Sequence, residues 1–191
     1  MDLDGFWALI ERSARRKKDQ DERADWLTGQ LVKLSRAEIE EFEILYYGLR
    51  DRVDTWHMWG AAVLVCDGAS DDGFWYFQAW LIGQGREVFE AAAADPDSLA
   101  DVPAVRSLAG RDSDDWAEDE WPDWEMLDYV ASEAYEEVSD GDDLDDALEA
   151  RGLIFRASPE PSDPRFDLED LSERRRRYPR LSALFDPVPS I

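Results

Sequence analysis

Cysteine occurs once in this 191-residue chain, at Cys66, and histidine once, at His57. A single thiol excludes an internal disulfide and a cysteine-rich zinc site. A single histidine means that any Ser-His-Asp or Cys-His arrangement has to use His57, and no Gly-x-Ser-x-Gly elbow accompanies it. Between Trp56 and Met58, His57 reads first as a packed histidine and only second as a general base. Cys66 closes an apolar run and reads as a core thiol. There is no run of about 18 uncharged apolar residues, so no membrane-spanning helix is expected. Walker A sequences and internal repeats are absent. Gly83-Gln84-Gly85 begins like a dinucleotide loop, but it lacks the third glycine and follows a helical pattern. Asp112-Ser113-Asp114-Asp115 and Asp140-Gly141-Asp142-Asp143 resemble pieces of calcium loops without the full ligand spacing. No cofactor is expected.

Bases are also scarce. The chain has 46 acids against 21 bases, only three of them lysine, for a formal charge of −25. That balance argues against a direct nucleic-acid partner, whose phosphates would be repelled. Residues 95–147 hold 20 of the acids against Arg106 and Arg111. Such a segment suits a protein partner with a basic surface, a nucleic-acid mimic or toxin neutraliser, or simply a solvated face. The excess of arginine over lysine fits GC-rich coding, which itself raises acid content. The start, MDLDGFWALIERS, is acidic where a secretory signal would be basic, so the expected location is cytoplasmic.

Aromatics, by contrast, are plentiful. Nine tryptophans exclude a disordered chain and call for a core. Phe6, Trp7, Leu9, Ile10 and Ala14 have helical spacing, with Asp2 and Asp4 before them and Arg15-Arg16-Lys17-Lys18 after, an order that suits the helix dipole. Trp26, Leu27, Leu31 and Leu34 form a second stripe. Ser35-Arg36-Ala37-Glu38 has the form of a capping box. It opens a helix over 36–50 with Ile39, Phe42, Leu45, Tyr46 and Leu49 inward and Glu40, Glu41 and Glu43 outward. Asp54 or Thr55 caps the next run, 56–66, which reads as a helix buried on all sides. A buried strand over 62–66 has the same periodicity.

The stretch SDDGFWYFQAWLIGQGR, residues 70–86, then predicts a capped central helix over 74–82 that ends at Gly83 and Gly85. Residues 86–94 resume helix. Residues 97–122 read as loop, and Asp123 as the cap of a helix carrying Leu127, Val130, Ala131, Ala134 and Val138. A short helix through Leu144 and Leu148 ends at Gly152, and 158–164 is a linker. The tail bears Arg174-Arg175-Arg176-Arg177. These arginines either fold back on the acidic segment or meet an external partner.

The expected fold is therefore all-α. Residues 1–152 form one helical domain around the aromatic helix and include an irregular acidic segment. Residues 153–191 form a linker and an arginine-rich tail docked on the domain. The constellation left for function is Ser70, Asp71, Asp72, Gln84, Arg86 and Glu87 at the two ends of the central helix, with His57 on the helix before. As paired carboxylates, Asp71 and Asp72 could hold a metal or divide acid and base roles. As helix-start residues they are caps. Without a complete catalytic set, a non-enzymatic binding or regulatory module ranks first. An enzyme or metal protein using Asp71 and Asp72 is the alternative.

DGFWALIE, the EIEEFE helix, Trp59-Gly60-Ala61-Ala62 and SDDGFWYFQAWLIGQGREVFEAA together resemble the bacterial domain of unknown function 4240 over about residues 1–135. The resemblance implies a mainly helical, cytoplasmic protein and brings no catalytic residues with it. It points to Ser70, Asp71, Asp72, Gly73, Gln84, Gly85 and Arg86 as the places to look.

Overall fold

The computed structural model describes residues 1–156 and 158–186, and every described regular element is helical. Ala157 and residues 187–191 of the expected tail lie outside the described residues. Local signals start most helices where the sequence places them. Asp2 caps α1 (Leu3–Arg16) and Asp19 caps α2 (Gln20–Leu31). Ser35 and Glu38 close the capping box of α3 (Arg36–Val53). Thr55 caps α4 (Trp56–Val65), so the strand alternative over 62–66 is not adopted. Ser70 caps α5 (Asp71–Gly83) by accepting from the Gly73 amide at 3.1 Å. Gly85, at φ +93°, turns the chain into α6 (Arg86–Ala94).

Helix α5 is the centre. It packs against α1, α3, α4 and α6 and against the helical turn Glu125–Tyr129. Phe74 and Phe77 through Gly83 are buried on it. Trp59 stacks on Phe74, and Phe77 on Trp80, with ring centres 4.6 and 5.5 Å apart.

Residues 97–122 are more ordered than their loop-like composition indicates. The turn Pro96–Asp101 and the short α7 (Pro103–Leu108) bury Leu99, Ala100, Val105 and Leu108. Their prolines sit at the first positions of each element, where a missing amide costs nothing. Asp123 caps nothing. The turn Glu125–Tyr129 begins at Trp124 without a side-chain cap and runs into α8 (Val130–Ser139). Asp143 caps α9 (Leu144–Ala150).

The tail forms α10 (Leu171–Arg177) and α11 (Pro179–Phe185), and α11 lies on α4 and the Pro96–Asp101 turn. Its arginines mostly stay within the tail. Arg176 and Arg177 pair with Glu173, and Arg174 with Asp186, at 2.6 to 2.9 Å. Among the described residues only Arg180 reaches the acidic segment, through Asp101. A residue three or four positions away on the same helix is a nearer partner than a distant segment.

Glu43 departs from the sequence reading too. It is 6% exposed and faces inward. Positions 39, 42, 43, 46, 49, 50 and 53 are the buried face of α3, a stripe wide enough to include residue 43. No helix of the described residues is long and apolar enough to cross a membrane.

Candidate functional site

The residues singled out from sequence fall into three separate places. Asp71 and Asp72 are exposed in the first turn of α5, where acids suit the helix dipole, while Ser70 makes the cap. Arg86 and Glu87 begin α6 at the far end of α5, and the length of that helix puts about 20 Å between the two groups. Arg86 is held by Asp4 of α1 at 2.7 Å. Gln84 is half-buried and donates back to the Trp80 carbonyl at 3.5 Å. His57 sits on α4 beneath Tyr178, ring centres 5.2 Å apart, with its Nε2 buried and without a hydrogen-bond partner among the described residues. Burial and the nearby Arg177 charge lower its pKa. Among the described residues, no group of three or more His, Cys, Asp or Glu is placed to hold a metal ion.

A cleft of about 340 Å³ lies between the start of α2 and residues 118–126. Asp19, Asp21, Glu118, Asp119, Asp123 and Glu125 line it, together with Gln20, Trp124 and Met126, and no lysine or arginine does. None of those six carboxylates is in an ion pair among the described residues. Partial burial, with Glu125 and Glu118 nearby, raises the Asp123 pKa. At the rim, Tyr76 and Tyr129 both donate to Glu125, at 3.2 and 3.4 Å. Burial, the Glu125 hydrogen bond and the charges of Glu125 and Asp72 push the Tyr76 pKa up to about 12. Through Tyr76 the acidic face thus continues from the cleft to the start of α5. Met126 and Tyr129 are 38% and 45% exposed there, which adds apolar surface to an otherwise charged rim.

The floor of the cleft is closely packed. Trp124 is buried and packs against Gly83, where an added Cβ would meet its ring carbons at 2.5 and 2.6 Å. Arg23 stacks on the same ring at 4.4 Å and donates to the Gly83 carbonyl at 2.7 Å, so it satisfies the end of α5. Burial lowers the Arg23 pKa to about 10.

The Glu125–Tyr129 turn is fastened from behind by Arg50, which is 2% exposed. Arg50 donates to Asp128 at 2.7 Å and to the Trp75 carbonyl at 2.7 Å, and Tyr46 donates to the same Asp128 oxygen. Glu43 lies on this face with the Asp128 and Asp145 charges close by. Burial first, and those two charges next, push its pKa up to about 8. None of these four residues stood out in the sequence. The available signal was that 43, 46 and 50 fall on the apolar stripe of α3, where charged residues are rare unless paired.

A family model described as a protein of unknown function, DUF4240, matches residues 1–137. The chain belongs to the DUF4240 family. No curated protein and no solved structure matches it. The DUF4240 part contains α1 through the Glu125–Tyr129 turn and most of α8, and with them all six acids of the cleft, Arg50, Asp128 and Glu43. Most of the acidic segment therefore lies within the match, and only its acids beyond Glu137 and the whole tail lie outside it.

Proposed function

We propose that this protein is a non-enzymatic binding module of the cytoplasm that takes a basic, partly apolar segment of a partner protein along the acidic cleft. One observation carries the reading: six carboxylates surround the cleft with no base among its lining residues. Like charges held together on a closely packed floor repel one another, and a cationic ligand relieves that repulsion. The same field steers such a ligand toward the cleft. Met126 and Tyr129 supply apolar contact beside the charges, and the Asp71–Asp72 pair extends the field at the edge. A second cleft, of about 420 Å³, lies between the end of α4, residues 111–116 and the tail. It offers less charge to a partner, because its Arg111 and Arg174 are engaged by Glu120 and Asp186.

The test uses a labelled peptide of alternating lysine and leucine and the full chain. Fluorescence anisotropy should show saturable binding whose Kd rises steeply between about 50 and 500 mM salt, since exposed charges are screened over a few ångströms at the upper end. Replacing Glu118, Asp119 and Asp123 together by their amides should weaken binding at least tenfold. The pair Asp71→Asn and Asp72→Asn should weaken it less. Binding that ignores salt, or that survives the triple replacement, rules the cleft out.

A further inference from the structure

We propose that the groove between α4 and the Pro96–Asp101 turn is a helix-docking site, and that residues 163–186 are a displaceable strap that fills it in cis.

The two sides of this contact are built for each other. Asp97 is 4% exposed, and its carboxylate accepts from the amides of Arg180 and Leu181 at 3.1 and 2.9 Å. It thereby caps α11, which has no side-chain cap of its own. In return Asp163 of the strap accepts from the amides of Trp56 and His57 and completes the capping of α4 that Thr55 begins. Tyr178 is fully buried and donates to the His57 carbonyl at 2.7 Å. Its ring occupies the space left by Gly60. A Cβ at position 60 would lie 2.8 Å from Phe166 and closer still to the Tyr178 hydroxyl. Glycine in the middle of a helix is unfavourable by itself, so the space above it has a use. The residues that receive the strap, Gly60, His57, Asp97 and Asp101, all belong to the family-matched part, while the strap lies wholly outside it. The groove is thus a feature of the domain, and it accepts a helix start of the form aromatic-Pro-x-Leu, here Tyr178-Pro179-Arg180-Leu181.

The strap is lightly held for its length. Of its 24 residues only Tyr178, Leu181 and Ser182 are buried. The contact also encloses polar atoms with no hydrogen-bond partner among the described residues: His57 Nε2 and Ser182 Oγ. Water satisfies such groups once the strap lifts, which offsets part of the apolar surface lost. The α1–α6 body keeps its own core around α5 when this happens.

Hydrogen exchange on the full chain tests the idea. In the wild type, the amides of Leu181 and Ser182 should exchange about tenfold or more faster than those of Phe77 to Leu81, through an opening that spares the body. Tyr178→Ala should speed strap exchange further with body exchange unchanged. A synthetic peptide of residues 163–186 should then bind Tyr178→Ala, fail to bind the wild type, and fail to bind Tyr178→Ala combined with Gly60→Leu. Strap and α5 amides exchanging together in the wild type would overturn the proposal, and that result stands even if Tyr178→Ala does not fold. A loosened variant that refuses the peptide would overturn it as well.

Discussion

The Arg50 guanidinium lies 3.5 Å from the centre of the Trp75 ring while one of its nitrogens donates to the Trp75 carbonyl at 2.7 Å. One buried residue of α3 therefore grips the side chain and the backbone of the central helix. Through Asp128 it also grips the turn that forms the rim of the acidic cleft. Arg50→Met removes the charge that Asp128 faces in a largely dry site. Chemical denaturation should show a loss of about 3–5 kcal/mol, the range for breaking a buried pair from one side. Asp128→Asn keeps acceptors for Arg50 and Tyr46 and should cost less.

Glu43 should make stability fall with alkali. Its folded pKa, near 8, is above its unfolded value of 4.5. For an acid shifted upward, the folded state binds its proton more tightly. The contribution is then complete below pH 4.5 and is lost as pH rises toward 8. Over that window the wild type should lose roughly 3–5 kcal/mol relative to Glu43→Gln, which has no proton to release. Urea unfolding of both proteins across that range reads the difference. Parallel curves would show that Glu43 is solvated.

Gly83→Ala should be disproportionately harmful for one methyl group. The added Cβ meets the Trp124 ring, which cannot yield because Arg23 lies on it at 4.4 Å. Overpacking of this kind costs about 1–3 kcal/mol and should appear as a lower Tm with altered tryptophan fluorescence.

At the start of α5 the cap and the acids should separate cleanly. Ser70→Ala should cost about 0.5–2 kcal/mol, because Ser70 accepts from the Gly73 amide. Asp71→Asn with Asp72→Asn removes only favourable placement near the helix dipole, about 0.3–1 kcal/mol for each residue. A double variant that loses more than about 2 kcal/mol would show that the acids do more than face the dipole.

Docking of the strap should weaken in mild acid. Burial and Arg177 lower the His57 pKa below its ordinary 6.5, while Asp163, Asp95 and Asp97 oppose them. A base shifted downward contributes stability that is complete above 6.5 and is lost as pH falls through its folded value. Exchange of the Leu181 and Ser182 amides, corrected for intrinsic rates, should accelerate as pH falls below about 6.5. His57→Gln should remove that acceleration.

The helical fold, the Ser35–Glu38 capping box and the central place of residues 74–82 were legible in the sequence, while the structure chose Thr55 over Asp54 and Ser70 over Asp71 and Asp72 as caps. Each follows from chemistry within one turn of helix: Ser35 with Glu38, Thr55 with Met58, Ser70 with Gly73. The family-like part was legible for the same reason, since its motifs are continuous in the chain. Glu43 was misplaced on the outer face, because periodicity gives the direction of a stripe and not its width. That width is set by α8 and the Glu125–Tyr129 turn, which cover α3 from residues far along the chain. Asp123 was assigned a cap it does not make, because Trp124 instead binds its amide to the Tyr76 carbonyl of α5, at 3.1 Å.

By itself the sequence placed α1 to α6 and indicated that they would pack around an aromatic centre, because capping and hydrophobic period are local. Tertiary structure decided which charges meet. It separated Arg86 from Asp72 by the length of α5, enclosed Arg50 with Asp128, and left the six acids of the cleft without a basic partner among the described residues. Coulomb energies depend on distance through space and on burial, and neither is set until the helices have packed.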